Sequence, residues 1–196
     1  VHAVNETLYD QVRKALEGGV TCVQLREKYM DDSEFIREAV RLRELCHSFG
    51  VPLIINDNVD VALRSGADGV HVGQDDRPAA EIRKLAGSDF IIGVTAKTVE
   101  QALRAQADGA DYIGSGAVFP SPTKQGAIRI TKDQLREICS SVQIPAVAIG
   151  GVSLDNMKEL KGCGMAGFAV VSAVFAAEDI RETAGLMRSE AERLVD

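Results

Sequence analysis

Tryptophan is missing from this 196-residue chain, aromatic residues make up only 5% of it, and there are three histidines and four cysteines. Three scattered histidines, His2, His47 and His71, do not make a His-rich metal centre. Cys22, Cys46, Cys139 and Cys163 stand apart among apolar neighbours with no C-x-x-C pair, which argues against a disulfide framework or a zinc site and for reduced thiols filling core space. Basic residues are also in short supply. Twenty-two Lys and Arg face 29 Asp and Glu for a formal charge of −7, so the chain lacks the basic footprint of a nucleic-acid binder and any positive site has to be local. No apolar run approaches the roughly 18 residues of a membrane span, and no signal-type segment opens the chain. The expected setting is the cytoplasm, with small molecules rather than nucleic acid or membrane as partners; a homo-oligomer stays open.

Against these absences stands a 45% hydrophobic composition with mean hydropathy near zero, enough to bury the core of one domain over residues 1–196. Short apolar runs, polar turns and stretches of helical period alternate along the whole chain without a linker. This pattern marks parallel βα units. Strands are expected at 21–26, 52–56, 69–72, 90–94, 111–114, 146–149 and 167–171, and helices at 7–17, 33–49, 59–64, 78–85, 99–107, 131–139, 154–161 and 179–194. Gly66-Ala67-Asp68, Gly109-Ala110-Asp111 and Gly164-Met165-Ala166 each sit between a helix and a strand, with glycine where a left-handed residue ends the helix. The best fit is an α/β protein built as a (β/α)₈ barrel. Seven strands against eight helices predict that the first strand lies upstream, with residues 1–4 either its remnant or the point where the chain was cut; an open doubly wound sheet is the alternative.

In such barrels the chemistry collects where strands end at their C-termini, so polar residues there attract attention. The first strand runs out through Gln24-Leu25-Arg26-Glu27-Lys28, and a two-residue period sends Gln24, Arg26 and Lys28 to one side. A solvated strand end with Arg26 paired to Glu27 is the plainer reading. The second ends Asn56-Asp57-Asn58, where either Asp57 or Asn58 could simply cap the next helix. The third, Gly69-Val70-His71-Val72-Gly73, leads into Gln74-Asp75-Asp76 and then Pro78. Asp57 and Asp76 thus arrive at one rim from adjacent strands. Two carboxylates completed by phosphate oxygens suit Mg²⁺. The turn-rich stretch 115–130, holding Phe119-Pro120-Ser121-Pro122-Thr123-Lys124, is long enough to serve as a lid, or is an ordinary Pro-stiffened loop. Ile149-Gly150-Gly151 and Val170-Val171-Ser172 close the last two strands with backbone N–H groups and a hydroxyl suited to an anion, where barrels commonly bind phosphate.

Taken in order, these segments resemble the thiamin phosphate synthase (thiamine-phosphate pyrophosphorylase) family over nearly the whole chain, from Gln11 to Ala176. The resemblance implies a transferase on a (β/α)₈ barrel that joins 4-amino-2-methylpyrimidine methyl diphosphate to a thiazole ethyl phosphate and releases pyrophosphate through a pyrimidine methyl cation. It implies Asp57 and Asp76 as Mg²⁺ ligands. Gln24, Leu25, Arg26, Glu27, Lys28, Asn56, Thr95 and Lys124 fall at positions around the pyrimidine diphosphate, and Ser121, Thr123, Gly151, Val171 and Ser172 at those around the thiazole phosphate. Arg26, Lys28 and Lys124 would act in catalysis by stabilising the departing charge. Thr95 stands where the family commonly has Ser, Ser121 where Thr is usual, Lys97 where His is usual and Ala117 where Pro is usual. A related thiazole tautomerase shares this barrel but does not require Arg26, Lys28, Asp57 and Asp76 together; a catalytically silent precursor-binding protein would fit if the first strand were absent from the gene.

Overall fold

A computed structural model describes residues 6–120 and 129–195. Seven parallel strands form one sheet in strictly sequential order: β1 (Val23–Leu25), β2 (Leu53–Asn56), β3 (Gly69–Val72), β4 (Ile91–Thr95), β5 (Tyr112–Gly116), β6 (Ala146–Ile149) and β7 (Gly167–Ala169). A doubly wound sheet would reverse its order at a switch point, and this one does not. α1 (Leu8–Glu17) precedes β1, the chain returns between successive strands up to β6 through α2 (Asp32–Ser48), α3 (Val59–Ser65), α4 (Ala79–Ala86), α5 (Val99–Ala107) and α6 (Lys132–Ser141), and it ends in α7 (Ser172–Phe175) and α8 (Ile180–Leu194). α1 packs on α2 at one side and on α8 at the other, so the first and last helices meet across the gap between β1 and β7. This is the order of a (β/α)₈ barrel with seven strands among the described residues. The upstream strand expected from the sequence falls on residues outside them.

Strands buried on both faces explain the continuous apolar runs. All four residues of β3 are buried, and Leu53, Ile55, Val70, Val72, Ile92 and Ile113 meet Leu42, Ile82, Ala102, Leu135 and Ile138 of the helices in one core. Each such Leu or Ile contributes about 1.5–3 kcal/mol by leaving water. Helix starts follow local chemistry: Asp31 caps α2 through Ser33 and Glu34, and Thr131 with Gln134 forms a capping box on α6. The glycines of the repeated turns take left-handed backbone, φ 67° at Gly66 and 87° at Gly109. In both turns the following aspartate accepts a strand N–H: Leu53 donates to Asp68 at 2.8 Å and Ile92 to Asp111 at 2.7 Å.

Two sequence expectations fail. The helix at 154–161 is only a 3₁₀ helix, Met157–Leu160, because Asn156 turns back to accept from Ser153 N–H and to donate to the Gly151 carbonyl. The last strand stops at Ala169, and α7 begins three residues later. Cys46, Cys139 and Cys163 are buried as expected, whereas Cys22 is exposed and does not fill core space.

Candidate active site

The C-terminal ends of β2 and β3 bring Asp57 and Asp76 together. Asn58, not Asp57, caps α3 by accepting the Val61 N–H at 2.9 Å, which frees Asp57 for the mouth. Asp57 itself adopts left-handed backbone, φ 63°, the only described non-glycine residue to do so, and its N–H donates to the His71 carbonyl at 2.8 Å. Such a conformation is uncommon outside glycine and concentrates at functional positions. Asp76 is held by the turn after β3, where its Oδ2 accepts the Gly73 N–H at 2.7 Å.

Loss of water raises the Asp57 carboxyl above the usual carboxylate range, and the charge and hydrogen bonding of Asp76 raise it further; the Arg26 charge and the Asn56 amide pull it partly back. Two carboxyls in this contact repel when both are ionised, and a cation between them relieves the repulsion. Among the described residues no group of three or more His, Cys, Asp or Glu side chains could hold an ion. Two adjacent carboxylates suit a hard cation that keeps most of its shell for water and ligand oxygens.

Beneath the acidic pair lies a polar floor that residue patterns did not reveal. Strand register aligns Asn56 with His71, His71 with Gly93 and Gly93 with Tyr112. Tyr112 reaches His71 because a Cβ on Gly93 would run into the tyrosine ring and hydroxyl, while a Cβ on Gly114 would press within 3.0 Å of the His71 ring. The buried imidazole then contacts two hydroxyls, Tyr112 at 2.9 Å through Nδ1 and Thr95 at 3.0 Å through Nε2. Burial pushes His71 down to about 4, so it is neutral at physiological pH, and burial raises the Tyr112 phenol, against which Gln24 sits. Gln74 donates to the Thr95 carbonyl at 2.6 Å and is itself held by Arg104 at 2.9 Å. Glycine in the middle of two strands was the available signal for this close approach.

The other expected residues divide. Gln24, Arg26, Asn56, Asp57, Thr95 and Asp76 gather around this rim and floor. Leu25 is buried in the core on the opposite face of β1, so only its backbone can serve the mouth. Glu27 acts on Glu38 of α2, whose carboxyl it helps to raise, and is not paired with Arg26 among the described residues. β1 ends at Leu25, so the two-residue period does not carry to Lys28, which lies exposed in a bend. Gly151 packs against Phe119 and Pro120, Val171 is exposed, and Ser172 opens α7. The stem of the long loop is pinned here by Val118 N–H to Ile149 O and Phe119 N–H to Gly150 O, and its ends meet where Ile130 N–H donates to Ala117 O at 3.0 Å. The four-residue α7 and the 3₁₀ helix after β6 leave little dipole, so an anion there would depend on local N–H groups and the Ser172 hydroxyl. Ser121, Thr123 and Lys124 lie outside the described residues.

Comparison with known proteins shows the family. The family model described as thiamine monophosphate synthase matches residues 1–174. The chain belongs to the thiamine monophosphate synthase family. A thiamine-phosphate synthase of Clostridium beijerinckii is 47% identical over 185 residues, 94% of this chain and 88% of that protein. One from Methanobrevibacter smithii is 47% identical over 174 residues, 89% of this chain and 83% of the other. The solved thiamine phosphate pyrophosphorylase of Pyrococcus furiosus superposes with a TM-score of 0.90 at 39% identity, covering 97% of this chain and 92% of that one. A 3-hexulose-6-phosphate synthase, at TM-score 0.69 and 16% identity over 92% of this chain and 91% of that one, shares the fold alone. Membership in the thiamine monophosphate synthase family thus coincides with a strand order and a paired-acid rim reached independently of it.

Proposed function

We propose that this protein is a cytoplasmic thiamine-phosphate synthase: it transfers the 4-amino-2-methylpyrimidine methyl group from its diphosphate to 4-methyl-5-(2-phosphoethyl)thiazole, giving thiamin phosphate and pyrophosphate. The contact between Asp57 and Asp76, with Arg26 beside it, carries the reading. An acid pair that cannot comfortably ionise without a cation is what a Mg²⁺-diphosphate needs and what a tautomerisation does not. Asp57 and Asp76 would hold Mg²⁺, which when bound supplies positive charge to the departing diphosphate.

The chain's own groups divide the remaining work. Arg26, Lys28 and Lys124 neutralise the diphosphate, so that the bond between the methylene carbon and the diphosphate oxygen can break with its electron pair leaving on oxygen. Asn56 and Thr95 orient the same group, and Gln24 over the neutral floor of His71 and Tyr112 receives the uncharged aminopyrimidine. A buried floor without a full charge leaves a developing pyrimidine methyl cation unquenched by a protein base. Ser121, Thr123, Gly151, Val171 and Ser172 hold the thiazole phosphate, placing the thiazole nitrogen to form the new bond to the methylene carbon. No protein nucleophile is needed.

A coupled assay for pyrophosphate release with both substrates tests this. Release that requires Mg²⁺ and both substrates, and thiamin phosphate formed in equal amount, is the expected result. Isomerisation of the thiazole with no pyrophosphate released would replace the proposal with a tautomerase.

A further inference from the structure

The floor ends on a hydroxyl at the mouth, and its hydrogen bonds have a direction. Each nitrogen of the His71 ring faces one hydroxyl oxygen, Nδ1 that of Tyr112 at 2.9 Å and Nε2 that of Thr95 at 3.0 Å. A neutral imidazole carries one proton, so it donates on one side and accepts on the other. The two sides are not equivalent. A phenol, with an ordinary pKa near 10, is a far stronger donor than an alkyl hydroxyl, while its ring-delocalised oxygen is the poorer acceptor. Gln24 sits against the same phenol. Tyr112 therefore donates to Nδ1, and the imidazole proton sits on Nε2 and is given to Thr95. The Thr95 main chain cannot easily shift in response, because its carbonyl is tied through Gln74 to Arg104 of α5.

We propose that Tyr112 and His71 are positioning residues that lock the imidazole as its Nε2–H tautomer, so that the Thr95 hydroxyl keeps its own proton free to donate to an anionic oxygen at the mouth. The opposite tautomer would consume that proton and turn a lone pair of Thr95 toward the anion. Naming that oxygen as one of the leaving diphosphate rests on the function proposed above. The relay moves no proton. It sets which end of one hydrogen bond meets the substrate, and it gives Gly93 and Gly114 a purpose in admitting the two rings.

Long-range proton–nitrogen correlation on ¹⁵N-histidine-labelled protein tests the relay, with the His71 signals assigned by their loss in His71→Asn. Wild type should show a protonated Nε2 and an accepting Nδ1, and Tyr112→Phe should give a mixture of tautomers. In turnover, Thr95→Val should lose about 100-fold in kcat, the usual scale for one preorganised donor, while Thr95→Ser stays within a few-fold of wild type. The Tyr112→Phe/Thr95→Val double variant should be no slower than Thr95→Val alone. Calorimetry with Mg²⁺ and inorganic pyrophosphate should show binding by wild type and Thr95→Ser and weaker binding by Thr95→Val. A protonated Nδ1 in wild type, or losses that multiply in the double variant, overturns the relay. The expected tautomer in a wild type that binds no pyrophosphate overturns the function reading and with it the destination of the Thr95 proton.

Discussion

The two ends of the sheet use aspartate in opposite ways. At the N-terminal end, Asp68 accepts from Leu53 N–H and lies 3.0 and 2.9 Å from His47 Nε2 through its two oxygens. Asp111 accepts from Ile92 N–H and from Arg83, which also binds the carbonyls of Gly87, Phe90 and Gly109. Both carboxylates have partners and stitch neighbouring strands. At the C-terminal end, Asp57 and Asp76 face each other, and Asp57 is lifted by lost hydration and by its neighbour's charge. One rim ties each of its carboxylates to N–H donors; the other sets two carboxyls against each other. A barrel can keep such a pair at one end because its opposite end is stitched.

The largest test of that contrast is Asp76→Asn or Asp57→Asn, each expected to lower Mg²⁺-dependent turnover about 1,000-fold, near 4 kcal/mol. Thermal unfolding of the metal-free Asp57→Asn protein should move to higher temperature, since asparagine tolerates the left-handed backbone and removes the repulsion. Unchanged turnover would erase the distinction between the rims.

The floor beneath the acids should register next. His71 is pushed down to about 4 while its ordinary value is 6.5, so protons favour the unfolded chain. The associated stability is complete above pH 6.5 and is lost as pH falls toward 4, up to about 3 kcal/mol. Denaturant midpoints at pH 7.5 and 4.5 should therefore fall further for wild type than for His71→Asn.

Arg83→Met sharpens the contrast from the stitched side. It should cost about 2 kcal/mol of stability by stranding several carbonyls and Asp111, with turnover at low temperature retained. Smallest of the four, Lys124→Ala should weaken use of the pyrimidine diphosphate about tenfold more than use of the thiazole phosphate, about 1.4 kcal/mol, in steady-state kinetics with each substrate varied. Equal losses would move Lys124 away from the diphosphate.

Much of the fold was legible because buried parallel strands read as plain apolar runs; β3 and β6 begin and end where the residue pattern places them. The Asp57–Asp76 meeting was legible too, since adjacent parallel strands must deliver their C-terminal residues side by side. The place of Lys28 was less directly legible, because β1 ends at Leu25 and alternation alone does not carry to it. The short turn at Met157–Leu160 was not legible, since one asparagine side chain there competes with the helix for backbone partners. Tyr112 stayed hidden because it begins an apolar run, and its meeting with His71 depends on two intervening glycines and on a register that no single segment contains.

Gly93 shows how little material separates this barrel from a silent one. A methyl group added there would occupy the space of the Tyr112 ring and evict it from beneath the acids. Surveys of natural variation that score position 93 by polarity or size class would pass Gly93→Ala as harmless, although one added methyl group would displace the aromatic ring on which His71 rests.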